Sequence, residues 1–376
     1  MSTDAIVKRP VTAAVAAKPN APFAIRALQL EGPRPGEVLV RVAGVGICHT
    51  DLIARDQMLP VTLPAVLGHE AAGTVEQVGA EVTDLAPGDT VVLTFLSCGA
   101  CEKCARGEPA YCDQMPMLNY LGRRPDGSVA LSDGDTPIGS HFFGQSSFAS
   151  YALAPRRSVV KVTSDLPAEL LGPLGCGIQT GAGAVLNVIA PEPGSAIAIF
   201  GGGAVGLSAV LAAAAAGCKR IVAIDPKTER RQAALDLGAT EAFDPLAEDF
   251  STTLVASGEF DSSLDTSGVP DSIAAAVACL RVRGVCALVG SPSMVGQTFP
   301  VRTGLFVQKG ITLRGVIEGD ADPQLFIPRL LALQAEGRFP FERLIRTYPL
   351  DAINDAIADQ QAGLCVKPVL TMDAYG

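Results

Sequence analysis

The run Cys48-His49-Thr50-Asp51 sets a thiol, an imidazole, a hydroxyl and a carboxylate side by side, the groups needed to ligate a metal and move a proton. Such a cluster does chemistry only if distant parts of the chain complete it. Histidine occurs three times, at His49, His69 and His141, and His69 stands in Gly68-His69-Glu70, where a carboxylate follows the imidazole. Cys176 closes a glycine-rich stretch much further on. Cys48, His69 and Cys176 would make a Cys2His set that leaves a fourth tetrahedral position open. Taken singly, Cys176 reads as a buried filler and His69 as a core histidine.

A second cysteine group carries the more specific signal. Cys98, Cys101 and Cys104 are separated by two residues each, and Cys112 follows after a loop. Four thiolates at this spacing can fold round one tetrahedral Zn2+, with no position left for substrate, so the expected role is to hold a structural lobe. A disulfide framework would need an oxidising compartment. Met1-Ser2-Thr3-Asp4-Ala5 shows no secretory signal, and the longest apolar stretch, near Ala209 to Ala216, is too short to span a bilayer. The expectation is a soluble cytoplasmic protein. Cys218, Cys279, Cys286 and Cys365 lack partners of this kind and read as packing residues.

The 376 residues predict two domains, and a content of 48% hydrophobic and 18% charged residues predicts folded cores rich in buried sheet. A net charge of −10 argues against nucleic acid as a partner. Up to about Pro155 the pattern is of short β-runs broken by Gly and Pro, with strands expected at Thr12–Ala17, Glu37–Val45, Ala71–Val78 and Thr90–Thr94. Gly44 and Gly46 are expected to loosen the end of the second of these. Asp113 to Ser147 reads as a long polar excursion closed by Phe142, Phe143 and Phe148, and Leu170 to Ala184 as a small-residue helix. From there strands and helices alternate, which predicts a parallel, doubly wound sheet. The tail is expected to end in a strand, Lys367–Thr371, that returns to the first domain.

Within the alternating half, Gly201-Gly202-Gly203-Ala204-Val205-Gly206 lies between the strand Ser195–Phe200 and a helix over Leu207–Ala216. Gly201 permits the tight turn, Gly203 lets backbone approach a pyrophosphate, and Gly206 permits close helix packing, with the amides of this turn, Ala204 and Val205 included, facing the phosphates. Asp225 ends the next strand, where its carboxylate would bind ribose hydroxyls and repel a 2′-phosphate, favouring NAD over NADP. Lys227 adds a contact to the same ribose.

In this order, Gly44-Val-Gly-Ile-Cys48-His-Thr-Asp51, Gly68-His69-Glu70, the four-cysteine lobe and Gly201 to Gly206 resemble the zinc-dependent medium-chain alcohol dehydrogenases over essentially the whole chain. Leu171-Gly-Pro-Leu-Gly-Cys176-Gly-Ile-Gln-Thr-Gly-Ala-Gly183 and Glu318-Gly-Asp-Ala-Asp-Pro323 look most like the bacterial aryl-alcohol (benzyl alcohol) and geraniol dehydrogenases. The resemblance implies an irregular β-rich, GroES-like catalytic domain over 1–176, a Rossmann cofactor domain over 177–320, and a return to the catalytic domain over 321–376. It implies Cys48, His69 and Cys176 as catalytic zinc ligands, and Glu70 behind the metal. Asp51 would accept a hydrogen bond from His69, Thr50 would carry the alcohol proton, and His49 would contact the cofactor pyrophosphate. Thr94 would line the substrate pocket.

The implied reaction is reversible oxidation of a primary, aromatic or allylic alcohol to its aldehyde with hydride transfer to NAD+ in a cleft between the domains, by a homodimer or homotetramer with two zinc ions per chain. One position departs from the pattern: Ile53 stands where many members carry a histidine that ends the proton relay. Three other readings stay open at this point: a glutathione-dependent formaldehyde dehydrogenase, a zinc-free quinone reductase of the same fold, and a non-catalytic NAD- or zinc-binding structural protein.

Overall fold

The computed structural model describes residues 8–290, 298–300 and 302–372, so Met1–Ala5, read above for a secretory signal, lie outside the described residues. The chain divides into two units, one formed by Met1–Cys176, Asp322–Pro328 and Ile345–Gly376 and the other by Gly177–Ala321 and Arg329–Leu344.

The first unit is built on β-strands that the branched, alternating runs dictate. These are β1 (Lys8–Ala16), β2 (Ala24–Glu31), β3 (Glu37–Gly46), β4 (Ala65–Val66), β5 (Ala71–Val78), β6 (Thr90–Leu93), β7 (Leu131–Asp133), β8 (Thr136–Ile138), β9 (Tyr151–Pro155) and β10 (Val159–Lys161). In the second unit follow β11 (Ala196–Phe200), β12 (Arg220–Ile224), β13 (Glu241–Phe243), β14 (Phe260–Asp265), β15 (Leu280–Leu288) and β16 (Thr312–Gly315), and the first unit is completed by β17 (Ile345–Pro349) and β18 (Lys367–Thr371).

The long strand β3 is the spine of the first unit. One edge pairs antiparallel with β5, while the other pairs with β9 through Glu37–Arg41 and then with β18 through Gly44–Gly46. Its residues are buried almost continuously, as expected of a strand covered on both faces. Gly44 and Gly46 lie in the last three residues of this strand, where its pairing with β5 shifts register between Val42 and Gly44. A Cβ on Gly46 would meet a Glu70 carboxylate oxygen at 2.1 Å, so glycine is required there by close approach.

Two expectations need correction. The segment from Asp113 to Ser147 is not a polar excursion: it contains the helix Met115–Asn119 and the hairpin β7–β8, which extends the sheet of β1 and β2, and Asn119 and Arg124 are buried. Its charged residues misled because one of them is neutralised inside. Arg124 places Nε 2.6 Å and Nη2 3.0 Å from the two oxygens of buried Glu37, with Glu31 3.1 Å from Nη1. The expected helix from Leu170 is instead a pair of 3-10 turns, and α-helix begins at Gly177, because Cys176 has a non-helical backbone (φ −148°, ψ −82°).

The second unit is a six-stranded parallel sheet in the order β13-β12-β11-β14-β15-β16. Its core packs Phe200, Phe260, Leu254 and Leu280 with Cys279 and Cys286. Burial pushes these two thiols up to about 12 and about 11, so both are inert packing residues. Cys365 is buried too, whereas Cys218 is partly exposed, its sulfur 3.6 Å from Ser195 Oγ. Among the described residues no helix is long and apolar enough to cross a membrane.

Burial works against ionised Glu37, but the His141 ring, Arg124 and the Arg34 amide hold its carboxyl down at about 2. A carboxylate depressed in the folded state contributes stability that is fully present above its ordinary value of 4.5 and is lost as pH falls toward 2. Glu37→Gln is therefore expected to cost about 3 kcal/mol at neutral pH, the low end for breaking a buried pair because Glu31 remains. Denaturant unfolding of the two proteins from pH 7 to pH 2.5 or so should show that gap narrowing with acid; a gap independent of pH would contradict the assignment.

Candidate metal centre

β3 delivers the chain to Cys48, which caps the short helix His49–Arg55. The Cys48 amide donates to Asp51 Oδ2 at 3.0 Å, while Asp51 Oδ1 accepts from the Gly68 amide at 3.0 Å and from His69 Nδ1 at 2.9 Å. Asp51 and His69 are fully buried. With the ring proton committed to Asp51 at Nδ1, Nε2 presents its lone pair, and it is buried without a hydrogen-bond partner among the described residues. The ring of Phe143 stacks on His69 with centroids 4.4 Å apart, and Phe142 meets it edge-on.

What Nε2 faces is a set of donors. Atoms of Cys48, His69, Glu70 and Cys176 lie within 4.8 Å of one another. The Cys48 thiol is held well below its usual range by the hydrogen bond with Cys176, which outweighs burial, and by His69 and Lys367. Burial opposes a charge on His69, but Asp51 overrides it and raises the ring's pKa. Burial likewise pushes the Glu70 carboxyl up, against the pull of Lys367, whose Nζ lies 2.5 Å from Glu70 Oε2 and 3.2 Å from the Ile47 carbonyl. Thiolates and carboxylates packed this closely out of water need a cation, and two sulfurs with an imidazole suit Zn2+.

The four-cysteine lobe gathers in the same way. Sulfur atoms of Cys98, Cys101, Cys104 and Cys112 lie within 4.8 Å of one another, with Cys98 to Cys104 and Cys101 to Cys112 at 4.0 Å. A disulfide needs about 2.05 Å. A tetrahedron with Zn–S near 2.3 Å has edges of roughly 3.8 Å, close to what is found. Amides of Ala100 and Cys101 pull Cys98 down to about 6, while burial pushes Cys112 up to about 12.

In the second unit Gly201 adopts φ +99°, a turn closed to other residues, and a Cβ on Gly206 would lie 1.7 Å from the Gly201 carbonyl oxygen. Gly203 has open space where a Cβ would stand, the cradle a pyrophosphate needs, and the helix starts at Ala204 rather than Leu207, so that Ala204 and Val205 form its first turn. Asp225 is buried and accepts from the Gly202 amide at 2.7 Å and the Lys227 amide at 2.8 Å.

Comparison with known proteins agrees with both halves. The chain matches the alcohol dehydrogenase GroES-like domain over residues 34–164 and the zinc-binding dehydrogenase domain over residues 204–334. It is 50% identical over 364 residues to geraniol dehydrogenase of Castellaniella defragrans, covering 95% of this chain and 96% of that one. The chain belongs to the zinc-dependent medium-chain alcohol dehydrogenases. Among solved structures, an alcohol dehydrogenase zinc-binding domain protein from Burkholderia ambifaria is similar at 49% identity and a TM-score of 0.95, with 97% of this chain and 99% of that chain covered. Benzyl alcohol dehydrogenase from Acinetobacter calcoaceticus is similar at 42% identity and a TM-score of 0.93, with coverage of 96% and 99%.

In this alcohol dehydrogenase the structure gathers Cys48, Asp51, His69, Glu70 and Cys176 into one cluster, with Thr50 Oγ1 3.6 Å from Cys48 Sγ and His49 exposed beside them. Thr94 is 1% exposed, and its hydroxyl donates to the Gly175 carbonyl at 2.7 Å. Three residues escaped the sequence. Lys367 reads there as one residue of a strand and Gln145 as part of a loop, and Arg230, with Nη1 3.8 Å from Asp225 and an Nε buried without a partner among the described residues, is not singled out at all.

Asp51→Asn keeps the shape of the side chain and removes its charge. It is expected to weaken zinc or cobalt binding at the Cys48 cluster by about 10–100-fold, measured by competition with a chelator. Unchanged affinity would show that the His69 ring is held without Asp51.

Proposed function

We propose that this alcohol dehydrogenase oxidises primary alcohols whose carbinol carbon adjoins an aromatic ring or a double bond, reversibly and with NAD+ as hydride acceptor, and that each chain holds two zinc ions. The observation that carries this reading is the convergence of Cys48, His69, Glu70 and Cys176 donors within 4.8 Å beside a hydroxyl, that of Thr50. The substrate class rests on the two relatives whose names carry one, since geraniol and benzyl alcohol share an unsaturated carbon next to the carbinol.

Cys48, His69 and Cys176 are assigned to the catalytic zinc, and Cys98, Cys101, Cys104 and Cys112 to a structural one. When bound, the catalytic metal supplies Lewis acidity that lowers the pKa of an alcohol, and the nicotinamide supplies the hydride acceptor. Thr50 takes the alcohol proton at Oγ1. Asp51 keeps the His69 lone pair aimed by fixing its tautomer, and the Glu70–Lys367 pair holds a carboxylate beside the ligands without adding net charge. His49, exposed at the start of its helix, contacts the cofactor pyrophosphate. The amides of Gly203, Ala204 and Val205, in the turn that Gly201 and Gly206 shape, face the same phosphates.

Asp225 receives the adenosine ribose. Two amides already hold its carboxylate in place, and its charge disfavours a 2′-phosphate, while Arg230 and Lys227 lie beside it. The same reading carries a homodimer or homotetramer in the cytoplasm.

The test is steady-state kinetics on a panel of straight-chain, benzylic and allylic alcohols, with S-hydroxymethylglutathione included, using NAD+ and NADP+. The expectation is highest kcat/KM for benzylic and allylic alcohols and a preference for NAD+ on the order of 100-fold, since juxtaposed like charges cost several kcal/mol. Straight-chain alcohols or the glutathione adduct in first place would overturn the substrate class, and a preference for NADP+ would overturn the role of Asp225. Cys48→Ala is expected to lose at least about 1,000-fold in kcat, because metal-assisted proton removal is then absent.

A further inference from the structure

We infer that Gln145 is a positioning residue of the metal centre, which locks the backbone of His69 to the segment that presents Cys176; the inference rests on the proposed ligand roles of those two residues. Cys48 and His69 are tied together by Asp51, while Cys176 comes from a distant stretch and stands at the non-helical break (φ −148°, ψ −82°) between the 3-10 turn Gly172–Gly175 and the helix that begins at Gly177. Gln145 adds a tie between that stretch and His69. Its Nε2 donates to the His69 carbonyl at 3.0 Å and to the Thr94 carbonyl at 3.3 Å, and the Thr94 hydroxyl in turn donates to the carbonyl of Gly175, the residue before Cys176, at 2.7 Å.

Every group in this series is buried: Gln145 is 1% exposed, Thr94 1% and His69 0%. The amide can point only one way. Two carbonyl oxygens require the NH2 end, and the Ser147 hydroxyl donates to Oε1 at 2.9 Å from the other side. The flipped amide would set its oxygen against two carbonyl oxygens. One segment also grips His69 twice, since the Phe143 ring stacks on the imidazole face while Gln145 holds the carbonyl of the same residue.

That grip is made at a conformational cost. Phe143 (φ +51°), Gly144 (φ +68°) and Ser146 (φ +49°) all adopt left-handed backbone, which a bulky residue such as Phe143 avoids unless its surroundings impose it. The surroundings here are the residues leading to His69. Ser146 Oγ donates to the Val66 carbonyl at 2.6 Å, and the amides of Ser147 and Phe148 donate to the carbonyls of Gly68 and Leu67, each at 2.9 Å. Strained backbone held against a ligand-bearing segment is what a template for that ligand requires.

The experiment uses the full-length protein loaded with zinc and, separately, with cobalt, as wild type and as Gln145→Leu, Thr94→Val and Thr94→Ser. Wild-type protein should release zinc to a chelator in two phases, one from each cluster. Gln145→Leu and Thr94→Val should each accelerate the phase of the Cys48 cluster about 10-fold and shift the ligand-field bands of cobalt bound there, leaving the four-cysteine phase unchanged. Thr94→Ser keeps the hydroxyl and should behave as wild type. Because the ties act in series, the double variant should be no worse than the worse single one.

Wild-type release rates and cobalt bands in Gln145→Leu, with only a lower melting temperature, would make this residue a packing amide and overturn the inference. Thr94→Val reads the same series through a second residue should Gln145→Leu fail to fold. Wild-type protein that binds metal at the four cysteines alone would overturn the ligand assignment itself, which separates the two failures.

Discussion

A carboxylate buried to 0% exposure is costly unless donors surround it, and Asp51 meets that condition with three: the Cys48 amide, the Gly68 amide and His69 Nδ1. These donors come from two separate stretches of chain. Satisfying one buried charge therefore brings the end of β3 against the turn that carries His69, and it fixes the face that the imidazole turns toward the Cys48 sulfur. A similar arrangement recurs beside it, where Lys367 from the last strand is buried against Glu70 and Gly46 leaves room for the carboxylate. The cluster is thus held by charges that each need the others, which is why single substitutions here should act well beyond one contact.

Much of the fold was legible because it rests on short-range pattern. Ala71–Val78 and Lys367–Thr371 are strands over the residues read from their β-branched runs, and the alternation after Ala196 forms the parallel sheet that alternation implies. β2 was not read, since Ala24–Glu31 mixes charged residues into an alternating run and its pairing with β1 and β7 makes it a strand. The stretch from Asp113 to Ser147 misled for a related reason: Arg124 is a loop residue by type and a core residue by virtue of Glu37, far away in sequence. The helix expected from Leu170 starts late because Cys176 must turn its sulfur toward a cluster in the first unit.

The site divides in the same way. Residue types announced Cys48, His69 and Cys176, the cysteine lobe and the glycine turn, because metal and phosphate chemistry restrict which side chains can serve. The residues that hold those in place did not announce themselves. Lys367, Gln145 and the hydroxyl of Thr94 act through distances that only the folded chain sets, and nothing in their neighbours along the sequence marks them. In the nucleotide turn the glycines were readable, whereas Arg230 beside Asp225 was not, although both lie within six residues of each other.

The central claim is that Cys48, His69 and Cys176 converge to hold a metal that is separate from the one in the cysteine lobe. X-ray diffraction from crystals of the purified protein, recorded on either side of the zinc absorption edge, addresses it directly. The account predicts two anomalous peaks per chain, one among Cys98, Cys101, Cys104 and Cys112 and one among Cys48, His69 and Cys176. A fully loaded protein with a peak in the lobe alone would contradict it.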